Sequence, residues 1–195
     1  VLRVIRDSPI ATERFSLVTL DESFAGEAYL RWLTDEETTA FLETRFADNT
    51  PEGLGKYVRA MMASSDSYLF AIVERSSNQH IGNIKLGPIN FNHKTASIGL
   101  FIGESSWWGK GVAKEVIAAI TSWAFDEIAL AKVSAGSYSS NVGSIRAFEA
   151  CGFYREGHLA NQVLLSNGER DDVILLGKLN PHVNSATGQS GIRHD

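Results

Sequence analysis

The chain has 195 residues, 44% of them hydrophobic and 21% charged, which suits one globular domain with a real core. Its net charge is −5 with no cluster of Lys and Arg, which excludes broad nucleic-acid binding but leaves room for a local polyphosphate site. No apolar run approaches the roughly 18 residues that span a bilayer, and one cysteine, Cys151, excludes an intrachain disulfide framework and fits a reducing, cytoplasmic compartment.

Residues 1–7 carry charges before any long apolar stretch and are not expected to be a signal peptide. Residues 14–20 read as a first strand. Residues 22–33 follow with Phe24, Ala28 and Leu33 on a helical stripe. Thr34-Asp35 should cap a second short helix running to Leu42. Thr50-Pro51-Glu52 is a strong start for a third, with Thr as N-cap and Pro in the first position. Three strands are then expected, over residues 68–73, 81–89 and 95–102.

A long helix should start near Gly109, carrying Val112, Val116, Ile120, Trp123 and Ile128 at spacings near 3.6. Residues 132–138 read as a strand. Residues 142–150 read as a short helix stopped by Gly152, with Cys151 as a buried, inert thiol at its end. Two last strands flank Asn167-Gly168, a strong hairpin signal. The stretch from Asn180 is polar and aperiodic. One domain over residues 1–180 and a flexible tail at 181–195 are therefore expected. The order β-ααα-βββ-α-β-α-ββ predicts a mixed α/β layer structure.

Chemistry should sit where the strand at 95–102 feeds the long helix, through Trp107-Trp108-Gly109-Lys110-Gly111-Val112-Ala113. The first amides of a helix lack internal partners, and the macrodipole favours an anion there. Gly109 and Gly111 admit a phosphate close to the backbone, and Lys110 can add charge. The spacing fits neither the mononucleotide loop nor the dinucleotide fingerprint. The plain alternative is a loop whose glycines only start a helix.

This segment resembles the Arg/Gln-x-x-Gly-x-Gly/Ala motif of the GNAT superfamily of acetyl-CoA-dependent N-acetyltransferases. Trp108 replaces the first Arg or Gln, a departure usual in the subgroup similar to ribosomal-protein N-terminal acetyltransferases (the RimJ/RimL type). A second block, Asn141-Val-Gly-Ser144 through Phe148-Glu149-Ala-Cys-Gly152-Phe153, resembles the family's Asn-x-x-Ser and Glu-x-x-Gly-Phe segment. The resemblance spans roughly residues 70–179. It implies a mostly antiparallel mixed sheet, splayed at an acyl-CoA site, with helices on both faces. It also implies cofactor contacts from Leu100, Ile102, Trp108, Gly109, Lys110, Gly111, Val112, Ala113, Asn141, Ser144 and Phe148. Residues 29–35 and 41–46 look like a subset associated with surface-polysaccharide and amino-sugar pathways.

In such an enzyme a neutral amine attacks the thioester carbonyl directly. Main-chain N–H groups near Leu100 and Ile102 would stabilise the oxygen as charge builds, and the thiolate needs a donor as it leaves. Many relatives have Tyr where this chain has Phe148. Ser144 is the favoured replacement and Tyr138 the second candidate, although either residue can also be ordinary structure. No carboxylate lies in residues 92–103 to act as base. Glu43 and His93 are candidates, and loss of the amine proton to water is the alternative.

Glu43 has two further readings, a clamp on the acceptor or a surface ion pair with Arg45. Asn83 and Lys85 alternate along one strand and face either the acceptor or solvent. No pair of the five histidines has metal-ligand spacing, so no metal is expected. The favoured acceptors are a nucleotide-linked amino sugar, bound around Glu43 and Arg45, or a protein N-terminus; spermidine and amino acids rank below them. A catalytically silent acyl-CoA-binding module is the rival class. No membrane partner is expected, and a homodimer is compatible with the sequence.

Overall fold

The computed structural model describes residues 8–183. Its elements are β1 (Ile10–Ala11), β2 (Phe15–Thr19), α1 (Glu27–Thr34), α2 (Glu36–Thr39), α3 (Pro51–Ala63), β3 (Tyr68–Glu74), β4 (His80–Leu86), β5 (Thr95–Ile102), α4 (Val112–Asp126), β6 (Lys132–Tyr138), α5 (Val142–Ala150), β7 (Tyr154–Leu164) and β8 (Arg170–Leu179). The expected order holds, with β1 added at the front.

The strands form one sheet in the order β1-β2-β3-β4-β5-β6-β8-β7. Every pairing is antiparallel except β5 with β6. On one face Phe70, Ile72, Ile84 and Leu86 pack with Val116, Ile117 and Ile120 of α4. On the other, Leu69 and Ala71 pack with Trp32 of α1 and Leu54 and Val58 of α3. A strand covered on both faces has no solvent side to keep polar. That is why 68–73 is a continuous apolar run rather than an alternating one.

Several boundaries move for local reasons. The helix expected over 22–33 opens as a 3-10 turn, Glu22–Phe24, with Asp21 accepting from the Ser23 amide, and α1 begins only after the extended Gly26. The helix expected to reach Leu42 closes after Thr39. Its cap, Asp35, accepts from Thr38 N at 2.9 Å, but Leu42 is already extended. The strand expected to reach residue 89 ends at Leu86, ahead of Gly87 and the donorless Pro88. The long helix starts at Val112 rather than near Gly109, because Gly109 and Gly111 sit at φ +70° and +75°.

Asn180, the last residue of the expected domain, is anchored to it. It is buried, and its Nδ2 donates to the Leu130 carbonyl at 2.9 Å. Residues 1–7, the expected non-signal segment, and the tail beyond residue 183 lie outside the described residues.

The feature that positions the site lies mid-sheet. β5 and β6 pair only through Thr95 with Lys132, Ala96 with Val133 and Ser97 with Ser134. Past that point β5 stays with β4 as far as Ile102, while β6 stays with β8 as far as Tyr138. The two half-sheets therefore part at the C-terminal ends of the parallel pair.

Candidate active site at the parted strands

A cleft of about 690 Å³ fills the opening. One wall is β5, with Leu100, Phe101 and Ile102. The Ser97 carbonyl is taken by Gly87 N on the β4 side. By strand alternation the main-chain groups of Leu100 and Ile102 turn the other way, into the gap. The Ile102 carbonyl there accepts from the Trp108 indole at 2.7 Å. Leu100 thus stands where the resemblance places a main-chain partner for the thioester arm, while Trp108 fastens the glycine turn to the strand.

The glycine turn forms the next wall, with Gly109, Gly111, Val112 and Ala113 all lining the cleft. A Cβ built on Gly109 would meet nothing within 4 Å, so crowding does not demand glycine there; the left-handed backbone does. This conformation brings the unpartnered first amides of α4 to the cleft, a fitting cradle for a diphosphate. Lys110 does not line the cleft. Its ammonium lies 5.5 Å from the Trp107 ring, so its charge acts from outside.

α5 supplies the opposite wall. Asn141 caps it, with Oδ1 accepting from Ser144 N at 3.1 Å, and both residues line the cleft. The cap uses the amide oxygen, so Nδ2 is what Asn141 can offer a ligand. The turn before it is fastened to β8 by Asp171, which accepts from Ser139 Oγ, Ser140 N and Ser140 Oγ. Burial alone would raise the pKa of Asp171, but these hydrogen bonds and one from Asp172 N bring it down to about 2. Phe148 corrects an expectation. It is buried edge-on against Phe153 at 5.0 Å and does not line the cleft.

At the other mouth, Glu37, Thr38 and Phe41 reach the cleft from α2 and the loop after it. Behind them Tyr138 OH donates to Glu43, and Arg45 Nη2 donates to the same hydroxyl at 3.3 Å. Arg45 also donates to the carbonyls of Ala40 and Leu164. The surface ion pair with Arg45, one of the readings of Glu43, is thus replaced by a junction on Tyr138. Burial first, and then the Glu43 hydrogen bond, push the Tyr138 phenol up to about 12. Neither Tyr138 nor Glu43 lines the cleft directly.

Three other expected acceptor residues stand elsewhere. Asn83 is buried with its Oδ1 3.0 Å from His80 Nε2, facing the α1 layer rather than an acceptor. Lys85 sits near Asp66 on that same face. His93 lies in the β4–β5 connection, and β5 puts Thr95 about 23 Å from Ile102 at 3.3 Å per residue. Cys151 is half-buried and donates to the Lys114 carbonyl, and burial pushes its thiol up, consistent with an inert thiol. Among the described residues no helix is long and apolar enough to cross a membrane.

The family described as the Acetyltransferase (GNAT) domain matches residues 14–154. The chain is 32% identical over 136 residues to the "Probable N-acetyltransferase YjcK" of Bacillus subtilis, covering 68% of this chain and 74% of that one. It is 30% identical over 102 residues to a spermidine N(1)-acetyltransferase of Vibrio cholerae, covering 52% and 58%. The solved spermidine N-acetyltransferase from Vibrio cholerae in complex with CoA and spermine superposes with a TM-score of 0.76 at 21% identity, covering 86% of this chain and 96% of that one. A GNAT-family acetyltransferase from Bacillus anthracis gives 0.75 at 23%, covering 88% and 98%. At these identities the two structures establish the fold. The family match runs through both strand–turn–helix units that build the cleft, and on that basis this chain belongs to the GNAT acetyltransferase family.

Proposed function

We propose that this protein moves an acetyl group from acetyl-CoA to a small cationic primary amine by direct attack. The observation that carries the reading is the gap between β5 and β6, which runs from the amide turn of Gly109, Gly111, Val112 and Ala113 to the acidic mouth at Glu37. The cradle fits a diphosphate, and the gap fits a thioester arm beside Leu100. Ser144, on the cleft wall, is the proposed donor to the departing thiolate, and Glu43 is proposed as an acceptor clamp held by Tyr138.

The charges support the choice of acceptor. The cations lining the cleft are Lys114 and Arg146, on α4 and α5, while the α2 side contributes Glu37. A nucleotide-linked sugar would want free cations near Arg45, whose guanidinium is spent on Ala40, Leu164 and Tyr138. An ammonium-bearing chain suits the acidic mouth better, and the spermidine acetyltransferase relatives support that class. The Trp108-Gly-Lys-Gly turn supports a place in the RimJ/RimL-like branch. A single domain over residues 1–180, acting in the cytoplasm, completes the reading.

The test is release of free CoA thiol from acetyl-CoA over polyamines, amino-sugar nucleotides and N-terminal peptides. Polyamine turnover is expected to lead. Gly111→Glu, which puts a carboxylate and a Cβ into the cradle, should abolish acetyl-CoA binding in a folded protein. Turnover led by a sugar nucleotide or a peptide would overturn the acceptor class. CoA binding without turnover of any amine would return the silent-module reading.

A further inference from the structure

Arg14 lies far in sequence from the glycine turn, yet it is built into it. Its Nη1 donates to the Lys110 carbonyl at 3.0 Å. Glu115, in the first turn of α4, fixes the guanidinium: one carboxylate oxygen accepts from Thr12 Oγ1 at 2.6 Å and Arg14 N at 2.8 Å, the other from Arg14 Nε and Nη2 at 2.8 Å each. A Cβ placed on Gly111 would stand 3.8 Å from Arg14 Nη2. Both carboxylate oxygens are used, and two guanidinium N–H groups converge on one of them, so the arginine is held in place rather than free to reach a ligand.

The consequence follows from peptide geometry. In a planar trans peptide the carbonyl and the next N–H point in opposite directions. Holding the Lys110 carbonyl therefore fixes the Gly111 N–H away from Arg14. The Gly111 carbonyl is meanwhile held by Glu115 N, which closes the first turn of α4. Resting on the acetyl-CoA reading above, we propose that Arg14, clamped by Glu115, is a positioning residue that orients the Gly111 amide and those after it toward the diphosphate of CoA. It acts through the loop backbone and not by its own charge, which Glu115 offsets.

The experiment compares Arg14→Gln and Glu115→Gln with the parent protein. It reads CoA affinity by calorimetry, and kcat/KM for acetyl-CoA against S-acetylpantetheine, which carries the thioester arm without the diphosphate. Positioning predicts that both variants weaken CoA binding about tenfold, roughly one lost hydrogen bond. The preference for acetyl-CoA over S-acetylpantetheine should fall by the same factor. If Arg14 met the diphosphate by charge, Glu115→Gln would free that charge and tighten CoA binding, which overturns the proposal. An equal loss for both donors, or a lost fold, would show a merely structural role and also overturn it. A parent protein that fails to bind CoA at all would sink the acetyl-CoA reading first and this proposal with it.

Discussion

The Tyr138 hydroxyl donates to Glu43 while accepting from Arg45, so one phenol joins the end of β6 to the turn after α2. Arg45 carries the junction on to the Leu164 carbonyl at the end of β7. Phe41 packs edge-on against the Tyr138 ring at 6.0 Å and lines the cleft. The proposed acceptor mouth is therefore shaped by three chain segments that meet at one side chain. A phenol pushed up to about 12 is a poor donor to a leaving thiolate, since even a free cysteine thiol titrates lower, at roughly 8.5.

Tyr138 and Glu43 should accordingly behave as acceptor-positioning residues. Tyr138→Phe and Glu43→Gln are each expected to raise KM for the amine about tenfold, the scale of one charge-assisted hydrogen bond, with kcat changed far less. Steady-state kinetics at saturating acetyl-CoA separates the two constants. A large fall in kcat at saturating amine, with KM unchanged, would make one of them the acid or base instead.

Ser144 lies on the cleft wall in the first turn of α5, where a hydroxyl can meet a departing sulfur. Ser144→Ala is expected to lower kcat about 100-fold, the low end for general acid–base groups because water can partly replace the hydroxyl. Acetyl-CoA affinity should barely move. Loss of affinity with kcat intact would reassign Ser144 to cofactor binding.

The parts legible in the sequence were those encoded by contiguous residues. Gly109 and Gly111 marked a backbone open to close approach, and Thr50-Pro51 marked the start of α3, because each depends on neighbours a few residues away. The parted strands were implied by the family resemblance of the two motif blocks, while the order of elements gave only a mixed α/β layer structure. The misplaced residues depended on long-range geometry. Asn83 and Lys85 alternate as an acceptor-facing pair would, but the layer of α1 and α3 covers that face, and alternation cannot report which face is covered. His93 was a candidate because of the intrinsic titration range of histidine, yet it precedes β5 and the working end of that strand is the other one. Phe148 was placed by motif, but its ring turns into the core. Arg14, Glu115 and Asp171 went unseen, since each acts on a turn that only the fold brings near.

Asp171 gives the sharpest pH-dependent test. Its carboxylate gathers Ser139 Oγ and Asp172 N on one oxygen and Ser140 N and Oγ on the other. Asp171→Asn keeps the shape but presents an NH₂ to donors on one edge, so at least one of them loses its acceptor. The turn that ends in Asn141 should loosen, weakening acetyl-CoA binding and lowering stability at neutral pH. The sign of the pH effect follows from the depressed pKa. A carboxyl near 2 when folded and about 3.9 when unfolded contributes stability that is present above the unfolded value. That contribution is lost as pH falls through the folded one. The stability gap between parent and variant, read by urea melts, should therefore be full at pH 7 and begin to close below about pH 4. A gap that stays constant down to about pH 3, or an unchanged affinity for acetyl-CoA, would remove Asp171 from this role.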